Sequence, residues 1–307
     1  MLVVFLLTGM LACLVWAGRV AAKPVQDGSA KTFNTPTQAV DALLKAAGSN
    51  DVAALIEILG TAGADIVSTD DQVADRNARA EFVRRAKEKK TLMRDRLNAN
   101  RSILYLGADE WPLPIPIVKQ GAKWRFDAAA ARNEILARRI GGNESAAIEV
   151  CLGFVEAQKE YAEEVHDGEG PNQYAQRIIS TPGKQDGLYW KNDDGSAGGP
   201  IGDVVAKAIA QGYTNKAEPY HGYFFRVLKG QGPAAPLGAI DFVVKGAMIG
   251  GFALIAFPAE YRVTGVQTFI VSHDGIVYQK DLGSQTLDIA KGMDLYNPDK
   301  TWKAAKP

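Results

Sequence analysis

Three histidines and two cysteines are the side chains best suited to proton transfer, nucleophilic attack or soft-metal binding in this chain: His166, His221, His273, Cys13 and Cys151. No CxxC, HExxH or Gly-x-Ser-x-Gly spacing connects them to partners. His221 precedes Gly222 in an aromatic run, and Asp241 and Cys151 are the groups it could work with. A histidine within a strand reads more readily as a structural hydrogen-bonding residue. His273 sits in a hairpin turn, where exposure is expected. Cys151 falls on the apolar face of a helix and is expected to be a buried small hydrophobe, since a nucleophilic thiolate needs a partly exposed, electropositive setting.

The remaining motifs are weaker. Gly168-Glu169-Gly170 and Gly230-Gln231-Gly232 do not lie between a strand and a helix, as a phosphate-binding loop must, and read as turn glycines. Asp167-Gly168-Glu169 lacks the alternating ligands of a calcium loop and reads as an acidic turn. Trp111, Trp124 and Trp190 read as core or interface aromatics, although glycine-flanked aromatics can line a groove. No catalytic, cofactor-binding or metal-ligating residue is assigned, and no cofactor is expected.

The 307 residues suffice for two cores. Lys+Arg and Asp+Glu both number 35, so no electrostatic footprint for nucleic acid or an anionic membrane is visible. Residues 2–17 carry no charge and end in small residues, with Val20-Ala21-Ala22 as a cleavage motif. The expectation is a signal peptide over 1–22 and a linker over 23–34. Retention of the segment as an anchor, or lipidation at Cys13, are the alternatives. Localisation is then periplasmic or secreted, with an envelope protein as partner and no membrane insertion after cleavage.

An α+β unit is expected over 35–127. Thr35 caps a helix opened by Pro36, Asp51 caps a second, and a charged helix runs over 72–90. Arg101–Leu106 alternates as a strand. The prolines of Trp111-Pro112-Leu113-Pro114-Ile115-Pro116 suit an edge or extended segment. Lys123–Asp127 returns as a strand after a Gln120-Gly121-Ala122 turn. The order of elements is loosely similar to cone-shaped domains of the nuclear-transport-factor-2 type.

A linking helix is expected over 128–142, with the unit boundary at Gly141-Gly142. A second helix then starts at Asn143 as N-cap, with Glu144 complementing the macrodipole, and runs to Val165. Ala147, Val150, Cys151, Phe154, Val155, Ala157, Tyr161 and Val165 form its stripe, and Glu149, Gln158, Lys159, Glu163 and Glu164 its polar face. Tyr174–Ile179 reads as a short helix and Asp203–Gln211 as another. From Tyr220 onward the chain is β: 220–228, 241–244, 248–257, 266–272 and 276–279, with Asp274-Gly275 as a hairpin signal. Short connections favour an antiparallel meander. Leu254, Ala256, Phe269, Val271, Ile276 and Tyr278 are expected to pack on the long helix, so Val150→Asp or Phe154→Asp should unfold this half. The fold class is therefore α+β: N-terminal helices with a small antiparallel sheet, then a long helix on a C-terminal antiparallel meander over 143–307.

Several segments resemble a bacterial family of unknown function, DUF2950: ILARRIGGNESAAIEVCLGFVEAQKEYA (135–161), STPGKQDGLYW (180–190), PYHGYFFRVLKGQGPAAP (219–236) and GGFALIAFPAEYRVTGVQTFIVSHDGIVYQKDLG (250–283). TPTQAVDALLKAA, EWPLPIPIV and GAKWRFD fit as well. The resemblance implies an exported protein of Gram-negative bacteria and no particular activity. The helix from Asn143 to Ala162, with Gly222-Tyr223-Phe224-Phe225 and the strands over 264–278, is more distantly similar to type IV pilins, which implies a helix-on-sheet shape.

Two functional expectations follow. One is a structural or interaction module of the envelope without catalytic activity. The other is a hydrolase or small-ligand binder with a site between the units, around His221, Asp241 and Trp190.

Overall fold

The structure is a computed structural model that describes residues 30–167, 170–213 and 218–306. The expected signal peptide, Cys13 and most of the 23–34 linker lie outside the described residues, as do Gly168 and Glu169.

Capping chemistry starts the helices where the residue types allow it. Thr35 Oγ1 accepts from Gln38 N–H at 3.1 Å and opens α1 (Pro36–Gly48). Asp51 Oδ1 accepts from Ala54 N–H at 2.9 Å and opens α2 (Val52–Leu59). A short turn leads to α3 (Ala64–Val67), and Asp71 caps α4 (Gln72–Glu88). These helices cover one face of an antiparallel sheet of β1 (Lys90–Arg94), β2 (Arg101–Leu106), β3 (Trp111–Pro112), β4 (Ile117–Gln120) and β5 (Lys123–Phe126). Leu104 and Leu106 on β2 point into the core, while Ile103 and Tyr105 on the alternate face stay half-exposed. The proline-rich stretch pairs with β2 through Trp111 and Pro112 and through Leu113 N–H, which donates to Leu104 O at 2.7 Å, before the following prolines remove further donors.

The expected break at Gly141-Gly142 does not occur. A single 34-residue helix, α5 (Ala128–Tyr161), runs through both glycines. Its first part gives Ala128 and Ala131 to the N-terminal core, and its last part gives Ala147, Cys151, Phe154, Val155, Ala157 and Tyr161 to a second core. A Cβ on either glycine would meet nothing within 4 Å. No close approach demands them, and packing at both ends outweighs a local helix cost of roughly 1 kcal/mol per glycine. Asn143 is thus not an N-cap: its Nδ2 donates to Thr264 O at 2.8 Å. Glu144 serves no helix terminus either. Its Oε1 accepts from the N–H groups of Val266 and Gln267, both at 2.9 Å, and ties the helix to a strand entrance.

The helix ends at Tyr161, four residues before the expected Val165, which is exposed. There His166 folds back, with Nε2 2.8 Å from Tyr161 O and its ring stacked on Tyr161 at 3.9 Å. Gln158, assigned to the polar face, is fully buried. Its amide donates to Ala175 O and accepts from Ala175 N–H, both at 2.8 Å, so the side chain acts as a one-residue strand partner.

The segment expected as a helix at 174–179 is instead β6 (Arg177–Ile179), parallel to β7 (Gly187–Lys191), which pairs with β8 (Ala197–Gly198). Helix α6 (Gly202–Ala210) follows. Next comes β9 (Tyr223–Leu228), then two ribbons, β10 (Gly230–Gln231) with β11 (Ile240–Asp241) and β12 (Val243–Val244) with β13 (Ala247–Met248). The meander β14 (Ala253–Pro258), β15 (Gln267–Ser272), β16 (Tyr278–Asp281) and β17 (Lys303–Ala304) completes a five-stranded sheet in the order β17-β16-β15-β14-β9. A short helix, α7 (Thr286–Lys291), lies between β16 and β17.

Helix α5 packs on β14 and β15, and α7 packs on β14 from the opposite face. Every residue of β14 is therefore buried. Of the side chains expected against α5, Leu254, Ala256, Phe269 and Val271 share a face by register and are buried. Tyr278 pairs with Ile270, in the row with Ile255 and Arg226, and so belongs to the α7 face; Ile276 is exposed. Val150 is only half-buried, because it borders an open groove.

Candidate functional site

Strand β9 is the outer strand of its sheet. In its antiparallel pairing with β14, Tyr223 stands opposite Pro258, which has no N–H, so that pair faces outward for hydrogen bonding. Tyr223 accordingly exchanges both backbone bonds with Tyr220, at 2.8 and 3.1 Å. By alternation Phe225, Val227 and Lys229 also direct their N–H and C=O groups away from β14. Lys229 O accepts from Phe242 N–H at 2.9 Å. Among the described residues, no hydrogen bond reaches the outward backbone groups of Phe225 and Val227.

Strand β6 lies across from this edge. Ser180 N–H donates to Tyr189 O at 2.8 Å, which makes Tyr189 the bonding member of its pair with Ile179. The N–H and C=O groups of Ile179 then point away from β7. A groove of about 810 Å³, within the size range of ligand sites, is lined by residues of both β6 and β9. Its walls include Val150 from α5, Ile178 from β6, Val204 and Val205 from α6, and Phe225 and Val227 from β9.

Polar groups around the groove are mostly committed to structure. Arg226 donates from Nη2 to the carbonyls of Ala290 at 2.8 Å and Met293 at 2.6 Å, placing its charge on the C-terminal end of α7. Arg177 is paired with Asp186 at 3.3 Å. Burial pushes the phenols of Tyr213, Tyr220 and Tyr223 above their ordinary pKa, so they remain neutral. Tyr223 Oη donates to Gln267 O at 2.9 Å. Among the described residues lining the groove there is no cysteine, serine or histidine.

Tyr213 connects the groove to a polar seam between the two cores. Its hydroxyl donates to Asp71 Oδ2 at 3.2 Å, and the same oxygen accepts from Gly222 N–H at 2.8 Å. Asp71 Oδ1 meanwhile caps α4 through Ala74 N–H at 2.9 Å, so one buried carboxylate joins segments 151 residues apart. Gly222 is required here. It has φ +73°, and a Cβ would lie 2.5 Å from Asn143 Nδ2 and 2.9 Å from Thr264 Cβ. Glu260 adds a second bond across the seam, accepting from Asp70 N–H, and burial raises its pKa. Sequence reasoning passed over Asp71, whose signal was its position as the acid before a helical run.

The three residues weighed for a site between the units lie in separate surroundings. His221 sits beside Tyr220 at 4.3 Å and Tyr213 at 5.9 Å, in the field of Asp71 and Glu149. Trp190 donates to Asn192 Oδ1 at 3.1 Å, with His166 at 5.5 Å. Asp241 belongs to the β10–β11 ribbon, where it pairs with Gly230. Cys151 is fully buried with its thiol pushed up to about 12. His273 is exposed, as expected of a hairpin turn. Trp124 lies in the N-terminal core, and Trp111 packs against that core. No group of three or more His, Cys, Asp or Glu among the described residues could hold a metal ion. No described helix is long and apolar enough to cross a membrane.

A family model described as a protein of unknown function, DUF2950, matches residues 30–305. Curated proteins and solved structures give no match.

Proposed function

The chain belongs to the DUF2950 family, and from that premise we propose that it is a non-catalytic interaction module of the bacterial envelope that receives an extended polypeptide along the edge of β9. The observation carrying this reading is the open edge itself. Phe225 and Val227 present two N–H donors and two C=O acceptors beside an apolar groove. A strand laid there would pair with the main chain once β6, which lies closer to β9 than two strand spacings, moves aside, and would seat alternate side chains against Val150, Ile178 and Val204. Open edges are otherwise an aggregation hazard that proteins cover or charge.

Export is the second part of the proposal. It rests on the uncharged run over 2–17 and the Val20-Ala21-Ala22 motif. The mature protein should be recovered from the periplasm or medium with its N-terminus near Lys23. An intact Met1 on a cytosolic protein removes this part.

Val227→Pro tests the groove, because it deletes an N–H that faces away from β14 and leaves the sheet's own pairing intact. A photo-crosslinking residue at Val204, on the groove wall, should form a polypeptide adduct in producing cells. One at Val244, exposed on the β12–β13 ribbon, should not. The Val204 adduct should disappear in Val227→Pro while the melting temperature stays within a few degrees. An adduct that persists in Val227→Pro, or forms equally at Val244, overturns the reading.

A further inference from the structure

The N-terminal core holds a second opening, a cavity of about 480 Å³ that shares no lining residue with the groove. Leu43, Leu55, Leu59, Phe82, Trp111 and Leu113 form its apolar walls, contributed by α1, α2, α4 and the proline-rich segment. That volume lies within the range of small-molecule sites.

Its polar lining is unevenly satisfied. Both oxygens of Asp71 are engaged, as described above. Asp75, one turn further along α4, is buried and turned toward Thr69, accepting from its N–H at 2.6 Å. Burial raises the Asp75 pKa, against the hydrogen bonds from Thr69 and the charges of Arg139 and Arg79. Arg139 is different. It donates from Nη1 to Asp65 O at 2.6 Å and from Nη2 to Ile66 O at 2.7 Å, both neutral acceptors, and makes no ion pair among the described residues. Burial opposes its charge, and only the more distant Asp75, Asp65 and Glu260 offset it. Arg79 and Arg138 line the same cavity, the latter with its guanidinium 6.0 Å from the Trp111 ring centre.

We propose that this cavity binds a small amphipathic monocarboxylate, with its apolar body among Leu43, Leu55, Leu59 and Phe82 and its carboxylate on the Arg139 guanidinium. An anion there would supply the charged partner that Arg139 lacks, and a guanidinium suits a carboxylate better than a point charge does.

Calorimetric titration of the mature chain with octanoate and with 1-octanol tests this. Octanoate should bind saturably and about 10- to 100-fold more tightly than octanol, the ratio expected of a hydrogen bond to a charged group. Arg139→Gln should bring octanoate down to the affinity of octanol. Ala78, which lines the cavity and is exposed, gives a second variant: Ala78→Trp should abolish binding of both without disturbing the core. Val227→Pro should change neither, which separates this site from the β9 groove. Absence of saturable octanoate binding, equal affinity for octanol in the unmodified chain, full binding by Ala78→Trp, or loss of binding in Val227→Pro would each overturn the proposal.

Discussion

The two five-stranded sheets of this protein are covered differently, and their openings differ accordingly. The N-terminal sheet is roofed on one face, so β2 alternates between buried and half-exposed side chains. Its cavity is lined by the covering helices, by α5 and by the proline-rich segment. The C-terminal sheet is roofed on both faces, by α5 and by α7, and β14 is buried throughout. With both faces taken, its opening lies at the edge, where β9 keeps backbone groups unpaired. A roofed face offers a ligand side chains, and a free edge offers main chain. A small amphipathic molecule suits the first and an extended polypeptide the second.

The two cores should respond most unequally to truncation of a side chain. Phe154 touches Phe252 edge-on at 5.6 Å within the doubly covered layer. Phe154→Ala should lose about 3–5 kcal/mol in denaturant unfolding, and Phe154→Asp should not yield soluble folded protein. Met93, 45% exposed on the open face of the N-terminal sheet, should lose less than about 1 kcal/mol on change to alanine. Equal losses at the two positions would refute the difference in covering.

Gln158→Leu comes next. It strands the N–H and C=O of Ala175 beneath the C-terminal layer and should cost about 2–3 kcal/mol, where Gln158→Glu keeps one of the two bonds. Gly141→Ala and Gly142→Ala work in the opposite direction. Both positions are helical and open, so each should stabilise the chain by roughly 1 kcal/mol, seen as a higher melting temperature. A loss would mean that the helix joining the two cores needs to bend there.

The smallest effect concerns His221 in the seam. Burial lowers its pKa from 6.5, against the pull of Asp71 and Glu149. The unfolded chain then takes up a proton near pH 6.5 while the folded chain resists until lower pH. Stability should fall as pH drops through 6.5 and level off below the folded pKa. An imidazole titration followed by NMR should show a midpoint below 6.5, and a midpoint above it would contradict the burial.

Much of the architecture is legible from local patterns. Thr35 and Asp51 cap helices because their side chains reach N–H groups three residues on, which spacing reveals. The Phe154 stripe and the β14–β15–β16 meander follow from periodicity and turn residues. The misreadings share one cause. Gly141-Gly142 reads as a stop, Gln158 as surface and the β6 segment around Ile178 as a helix, because each depends on a partner outside its own element.

Order of elements, caps, apolar stripes and family membership were thus set by residue types and their spacing, since those interactions act within a turn or a strand pair. Three features needed the assembled chain: the continuity of α5, the reach of Asp71 to Gly222, and the unpaired edge of β9. The physical reason is that burial and hydrogen-bond satisfaction are properties of what packs beside a residue. For these residues the deciding partner lies far along the sequence.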